Sequence, residues 1–209
     1  MVGGVNARLF GEVAVTMLVI LDPPGNTPIF LAVTRHLKDK ERHRAAYIAV
    51  GTAFLIIALF AIGGRTVLDY LNVSVPALRG AGGLLLLLVA LQLLYGPGGE
   101  GQYAQATVQE RTSVAMVPVG TPLLAGPGAI VATIVFFSEV DGAGEWLSVV
   151  VGLGVALAVT LLALRYAGML QRVVRPMGVI LLARVAGMLL AAIAVQMIAD
   201  SVIEFVKTV

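Results

Sequence analysis

Apolar residues run along this chain in six blocks separated by short polar connections, at positions 9–33, 45–63, 76–95, 114–137, 146–166 and 178–202. A hydrocarbon core about 30 Å thick takes roughly 20 helical residues. The pattern therefore predicts an all-α membrane protein with six transmembrane helices. Two blocks are interrupted by residues that cannot continue a helix: Asp22-Pro23-Pro24-Gly25-Asn26 in the first and Ala125-Gly126-Pro127-Gly128-Ala129 in the fourth. Main chain released from helical bonding survives at bilayer depth only where protein buries it or a cavity meets it. The first and fourth helices are expected to be broken at mid-membrane, and matched breaks of this kind point to the substrate site of a transporter.

The two halves of the chain align. An offset of about 103 sets Pro24-Gly25 on Pro127-Gly128; an offset of about 104 sets Gly83 on Gly187, Ala90 on Ala194 and Gln92 on Gln196. Three spans per half is an odd number, so the halves must have opposite orientation. The expected architecture is two inverted three-helix repeats, 1–99 and 100–209, forming one membrane domain.

Composition narrows the picture further. Hydrophobic residues make up 59% of the 209 and charged ones 12%, against about 25% charged in soluble domains, and the mean hydropathy is +0.97. No soluble domain of useful size remains once the spans are assigned. The net charge of +2 and pI near 9.2 reflect clustered orientation signals rather than a nucleic-acid partner. Arg35, Lys38, Lys40, Arg42 and Arg44 share one connection, and Arg165, Arg172 and Arg175 another, whereas the connection around Glu139, Asp141 and Glu145 has no Lys or Arg. The positive-inside rule puts the basic connections in the cytoplasm and both termini outside. The start of the chain lacks a basic region followed by a small-residue cleavage site, so a removed signal peptide is not expected. The absence of cysteine excludes disulfides and thiol chemistry.

The breaks hold the candidate chemistry. Pro23 and Pro24 lack amide donors, so the first helix should stop near Asp22 and a second half-helix start near Asn26 or Thr27, with Pro28 tolerated in its first turn. Exposed amides at a helix start suit a carboxylate. Gly126, Pro127, Gly128 and Ala129 repeat the pattern, and by the repeat symmetry the two starts should face each other. An acid at bilayer depth costs about 2.5 to 3.5 kcal/mol on insertion scales, so Asp22 should meet a partner or a cavity, where it would receive an amine, a proton or sodium. It would also serve as a helix cap, and packing kinks remain an alternative for both breaks.

Arg79 and Arg184 occupy nearly equivalent repeat positions near span ends. They either snorkel to the interface or act as gates, Arg79 having Glu12 and Asp200 at its level. Gln92 and Gln196 are expected to form interhelical bonds, and Thr27, Thr121, Thr133 and Ser138 to bond their own backbone. Enzyme signals are poor. His36 and His43 sit in the basic loop, no nucleophile has a base beside it, and phosphate-loop and haem motifs are absent, so no enzyme and no cofactor are expected.

The runs Leu21-Asp22-Pro23-Pro24-Gly25-Asn26-Thr27-Pro28 and Leu124-Ala125-Gly126-Pro127-Gly128-Ala129, with the ending Ala194-Val195-Gln196-Met197, closely resemble the signature motifs of the MarC family, named for a multiple-antibiotic-resistance locus. The resemblance covers essentially the whole chain. It implies a six-span inner-membrane protein in a group that includes transporters of small neutral amino acids such as glycine and alanine. It departs at Gln92, where relatives commonly carry an acid.

The leading expectation is a secondary transporter of a small neutral amino acid, working by alternating access and coupled to protons or sodium. Its substrate-binding residues would be Asp22, Pro24, Gly25, Asn26 and Thr27 with Gly126, Pro127, Gly128 and Ala129; Asp22, Arg79 and Arg184 would couple or gate. A passive small-solute channel, a drug or lipid exporter and a membrane assembly protein are the alternatives. Direction of transport and oligomeric state are not legible.

Overall fold

A computed structural model describes residues 6–34, 37–95, 124–140, 142–169 and 176–208. Its elements are all helices: α1 (Ala7–Leu21), α2 (Pro23–Val33), α3 (Asp39–Tyr70), α4 (Val75–Tyr95), α5 (Pro127–Ser138), α6 (Ala143–Arg165) and α7 (Pro176–Thr208). Five helical stretches are long and apolar enough to cross a bilayer: Ala7–Leu31, which runs through α1 and most of α2, Asp39–Tyr70, Val75–Tyr95, Ala143–Arg165 and Arg184–Lys207. The sixth apolar helix, α5, has only 12 residues, and the lead-in expected from position 114 lies outside the described residues.

Local sequence sets the ends. Asn6 caps α1, its side chain accepting the Leu9 N–H. Helix α3 begins inside the basic segment, because Asp39 and Glu41 occupy its first turn and the Glu41 carboxylate accepts the Lys38 N–H at 3.0 Å. Lys40, Arg42 and Arg44 are therefore helical, which corrects the expectation of a loop reaching to Arg44. Helix α3 runs 32 residues, about 48 Å at 1.5 Å per residue, well beyond the hydrocarbon thickness.

Lipid tails offer no hydrophobic drive between helices, so close packing depends on small residues. Ala46, Ala49 and Ala53 make the buried stripe of α3, against which α5 and α6 pack. Gly64 is seated on Ile134 of α5, and Gly152 of α6 lies 3.1 Å from the Phe10 carbonyl of α1 as measured from the Cβ it lacks. Large apolar side chains such as Phe54, Leu59, Leu88 and Met188 are instead exposed on the outside of the bundle.

The most extensive helix contact joins α4 and α7, and it is reciprocal. A Cβ on Gly83 would lie 2.8 Å from the Ala194 carbonyl and 2.8 Å from Ile198; one on Gly187 would lie 3.1 Å from the Ala90 carbonyl and 3.1 Å from Leu94. Leu86, Ala90, Leu190 and Ala194 form the buried centre of this crossing. Since residue 83 meets 194–198 while 90–94 meet 187, the two helices run antiparallel.

Candidate functional site

The first break is a single residue. Asp22 takes a left-handed conformation, φ 39° and ψ 65°, and serves both as the C-cap of α1 and as the N-cap of α2. Its N–H donates to the Leu18 carbonyl at 3.0 Å, and its own carbonyl accepts the Asn26 N–H at 2.9 Å. Its carboxylate Oδ1 accepts the Gly25 N–H at 3.1 Å. A side chain on Gly25 would collide with the Asp22 carboxylate, so this cap requires glycine there. Asn26 Nδ2 donates back to the Leu21 carbonyl at 2.6 Å, satisfying one of the orphan acceptors of α1.

Two further acceptors follow from the prolines. In an unbroken helix the amides of residues 23 and 24 would serve the carbonyls of Val19 and Ile20, and Pro23 and Pro24 have none. The break therefore concentrates acceptors: a carboxylate, 8% exposed in all, and two carbonyls deprived of their helical donors. It does not offer amides. At the start of α2 the first two residues lack N–H groups, and those of Gly25 and Asn26 are both taken by Asp22. The expectation that this start receives a carboxylate is corrected: Asp22 already fills that role.

The second break has the opposite character. Gly126 is the N-cap of α5, extended at φ −66° and ψ 169°, and no side chain caps the helix. Pro127 opens the helix, and the amides of Ala129 and Ile130 turn back to the Gly126 carbonyl at 3.0 and 3.2 Å. The first turn of α5 holds no acid, and no side chain among the described residues caps its positive end. Gly128 packs against Leu86 of α4, and a Cβ there would also lie 3.7 Å from Ile20 in the last turn of α1. Leu86 and Ile20 thus both flank Gly128, which sets the last turn of α1 beside the uncapped start of α5.

The hydroxyls are occupied in the expected way. Thr27 donates to Pro23, Thr133 to Ala129 and Ser138 to Ile134, each at 2.7 Å; Thr121 lies outside the described residues. Gln196 bonds Asp200 along its own helix at 2.8 Å and Gln92 is exposed, which corrects the expectation of interhelical bonds. Arg79 is buried and pairs with Glu139 and Glu204 rather than with Glu12 or Asp200. Arg184 is exposed on α7. Sequence reasoning missed Leu86, Glu139 and Glu204. Leu86 is one of five consecutive leucines, and the two acids are 60 and 125 positions from their partner.

Comparison with known proteins agrees with a membrane protein along the whole length. A family model described as MarC family integral membrane protein matches residues 7–206. A UPF0056 membrane protein of Archaeoglobus fulgidus is 34% identical over 191 residues, covering 90% of each chain. Another, from Methanocaldococcus jannaschii, is 36% identical over 187 residues, 88% of this chain and 90% of its own. The UPF0056 inner membrane protein MarC of Salmonella typhimurium is 29% identical over 214 residues, 96% of this chain and 97% of its own. No solved structure matches.

Proposed function

Because the chain belongs to the MarC family of integral membrane proteins, its activity has to be built inside the bilayer, and we propose that it is a secondary transporter of small neutral amino acids, glycine and alanine first, working by alternating access in the cytoplasmic membrane. The observation that carries this reading is the chemical difference between the two adjacent breaks. A zwitterion needs acceptors for its ammonium group and a positive end for its carboxylate. Asp22 with the Val19 and Ile20 carbonyls supplies the first, and the uncapped start of α5 at Gly126 and Gly128 supplies the second. Leu86 and Ile20 crowd Gly128, so a substrate held there has little space for a side chain.

An inverted repeat is part of the proposal. Gly83, Ala90 and Leu94 face Ala194, Ile198 and Gly187 in the pairing that exchange of the halves would produce. The contacts among the other helices support it as well. Helices α1 and α2 touch α6 as α5 touches α3, and they touch α7 as α5 touches α4. Basic residues at the start of α3 and the end of α6 support placing both termini outside.

The deciding experiment is uptake of labelled glycine or alanine into liposomes holding the purified protein, with proton and sodium gradients imposed separately. A carrier gives saturable uptake and counterflow. Flux that rises linearly with concentration and shows no counterflow would indicate a channel, and no flux of either amino acid would end the amino-acid reading.

A further inference from the structure

Arg79, near the start of α4, is only 8% exposed. Carboxylates from two other helices meet its guanidinium: Glu139, which follows α5, and Glu204, near the end of α7, at 2.8 Å. Their side chains are 46% and 42% exposed. One cation therefore ties three helix ends together at the end of the bundle where α4 begins and α5 and α7 finish.

The two ties differ in what surrounds them. Helices α4 and α7 are fastened independently of Arg79: Ser201 Oγ donates to the Pro76 carbonyl at 2.8 Å, Gly80 leaves room only for Ser201, and Gly83 is seated on the Ala194 carbonyl. Glu204 and Arg79 thus belong to one tightly packed pair. Helix α5 meets α4 along a seam where Gly82 faces Val131, and one turn further on its Ile134 is seated on Gly64 of α3. If α5 separates from α4, the Arg79–Glu139 tie must break and the Arg79–Glu204 tie need not. Arg79 then stays neutralised, so opening does not strand a buried charge, which is the costly outcome for a buried pair.

We propose that Glu139 is a gating residue whose ion pair with Arg79 latches the end of α5 to the α4/α7 pair and keeps this end of the transport route closed. The proposal rests on the alternating-access reading and assigns Arg79 a partner and a direction. At the opposite end of α7, Arg184 is exposed and forms no ion pair among the described residues, so the latch is a property of one end.

The absence of cysteine makes the test clean. Val131→Cys puts a thiol on the seam beneath the latch, at a position 7% exposed. Its labelling rate with a membrane-impermeant maleimide is compared in right-side-out and inside-out vesicles, alone and combined with Glu139→Gln or Glu204→Gln. Glu139→Gln should speed labelling at least about fivefold in one orientation only, as expected when one ion pair no longer biases a two-state equilibrium. Glu204→Gln should leave the rate within about twofold, because Glu139 still holds Arg79. An unchanged rate in Glu139→Gln, an equal rise in Glu204→Gln, or a rise in both orientations overturns the latch. If Glu139→Gln does not purify as a single folded species, Arg79→Lys replaces it; lysine keeps the charge but loses the fork that holds two carboxylates, and the same rise is expected. Labelling needs no substrate, so absence of amino-acid uptake by the unsubstituted protein would sink the transport reading separately.

Discussion

At the scale of single residues, Asp22 performs two tasks that one substitution separates. Asparagine caps a helix about as well as aspartate and tolerates the left-handed conformation, so Asp22→Asn should hold thermal stability within about 1 kcal/mol of the parent. Gradient-driven uptake should nevertheless be lost. Loss of driven uptake with counterflow kept would assign Asp22 to coupling, loss of both to substrate binding, and retention of both would remove the acid from the mechanism. Leu86 gives a complementary expectation. Leu86→Ala relieves the crowding over Gly128, and competition assays should then show valine and leucine displacing labelled alanine where the parent excludes them; an unchanged competition profile would mean that Leu86 does not border the substrate. The prolines, glycines and Asp22 were legible in the sequence because each has a distinctive backbone property. Leu86 was not, since a leucine within a leucine run acquires its role only from the helix that packs across it. The sequence put Gly128 among the substrate-binding residues, and in the fold Leu86 packs against it. Gly128→Leu should therefore reduce stability as well as binding, and transport by that variant has to be read beside its melting temperature.

At the scale of elements, glycine has two distinct meanings that the sequence alone does not separate. Gly83 and Gly187 are closed in by backbone of the facing helix, with carbonyls 2.8 and 3.1 Å from where a Cβ would sit, while Gly63 and Gly154 have nothing within 4 Å. Gly83→Ala and Gly187→Ala should each destabilise by about 1 to 3 kcal/mol, the usual cost of overpacking. Gly63→Ala and Gly154→Ala should be neutral or stabilise by up to about 1 kcal/mol through helix propensity. Thermal unfolding followed by size-exclusion chromatography would read all four, and similar shifts across the set would refute the packing account. Hydropathy located the helices but not their ends. Helix α3 begins ahead of its apolar block because the Glu41 cap and the acidic charge of its first turn continue the hydrogen-bonded ladder into polar sequence. Apolar periodicity does not register either effect.

At the scale of the whole molecule, orientation follows from where charge collects. The exposed Gly142 precedes a first turn holding Glu145, and the exposed Lys38 precedes the basic start of α3. A cysteine at Gly142 should react with an impermeant thiol reagent on intact cells and one at Lys38 should not; the reverse pattern would invert the topology, and with it the side on which the Arg79 latch lies. The all-helical membrane class and the family were readable from composition and from the two proline-glycine runs. The proposed match between halves was readable only as an offset in the sequence, and what supports it is the α4/α7 crossing, where Gly83 and Gly187 are seated reciprocally on the facing helix. Such a contact is isologous, the kind that two copies of one polypeptide make across a two-fold axis. Its geometry does not depend on the peptide bonds joining the halves. Residues 1–99 and 100–209 produced as separate chains should therefore find each other and copurify as a complementing pair, and a bulky residue at Gly83 in the first fragment should abolish that recovery.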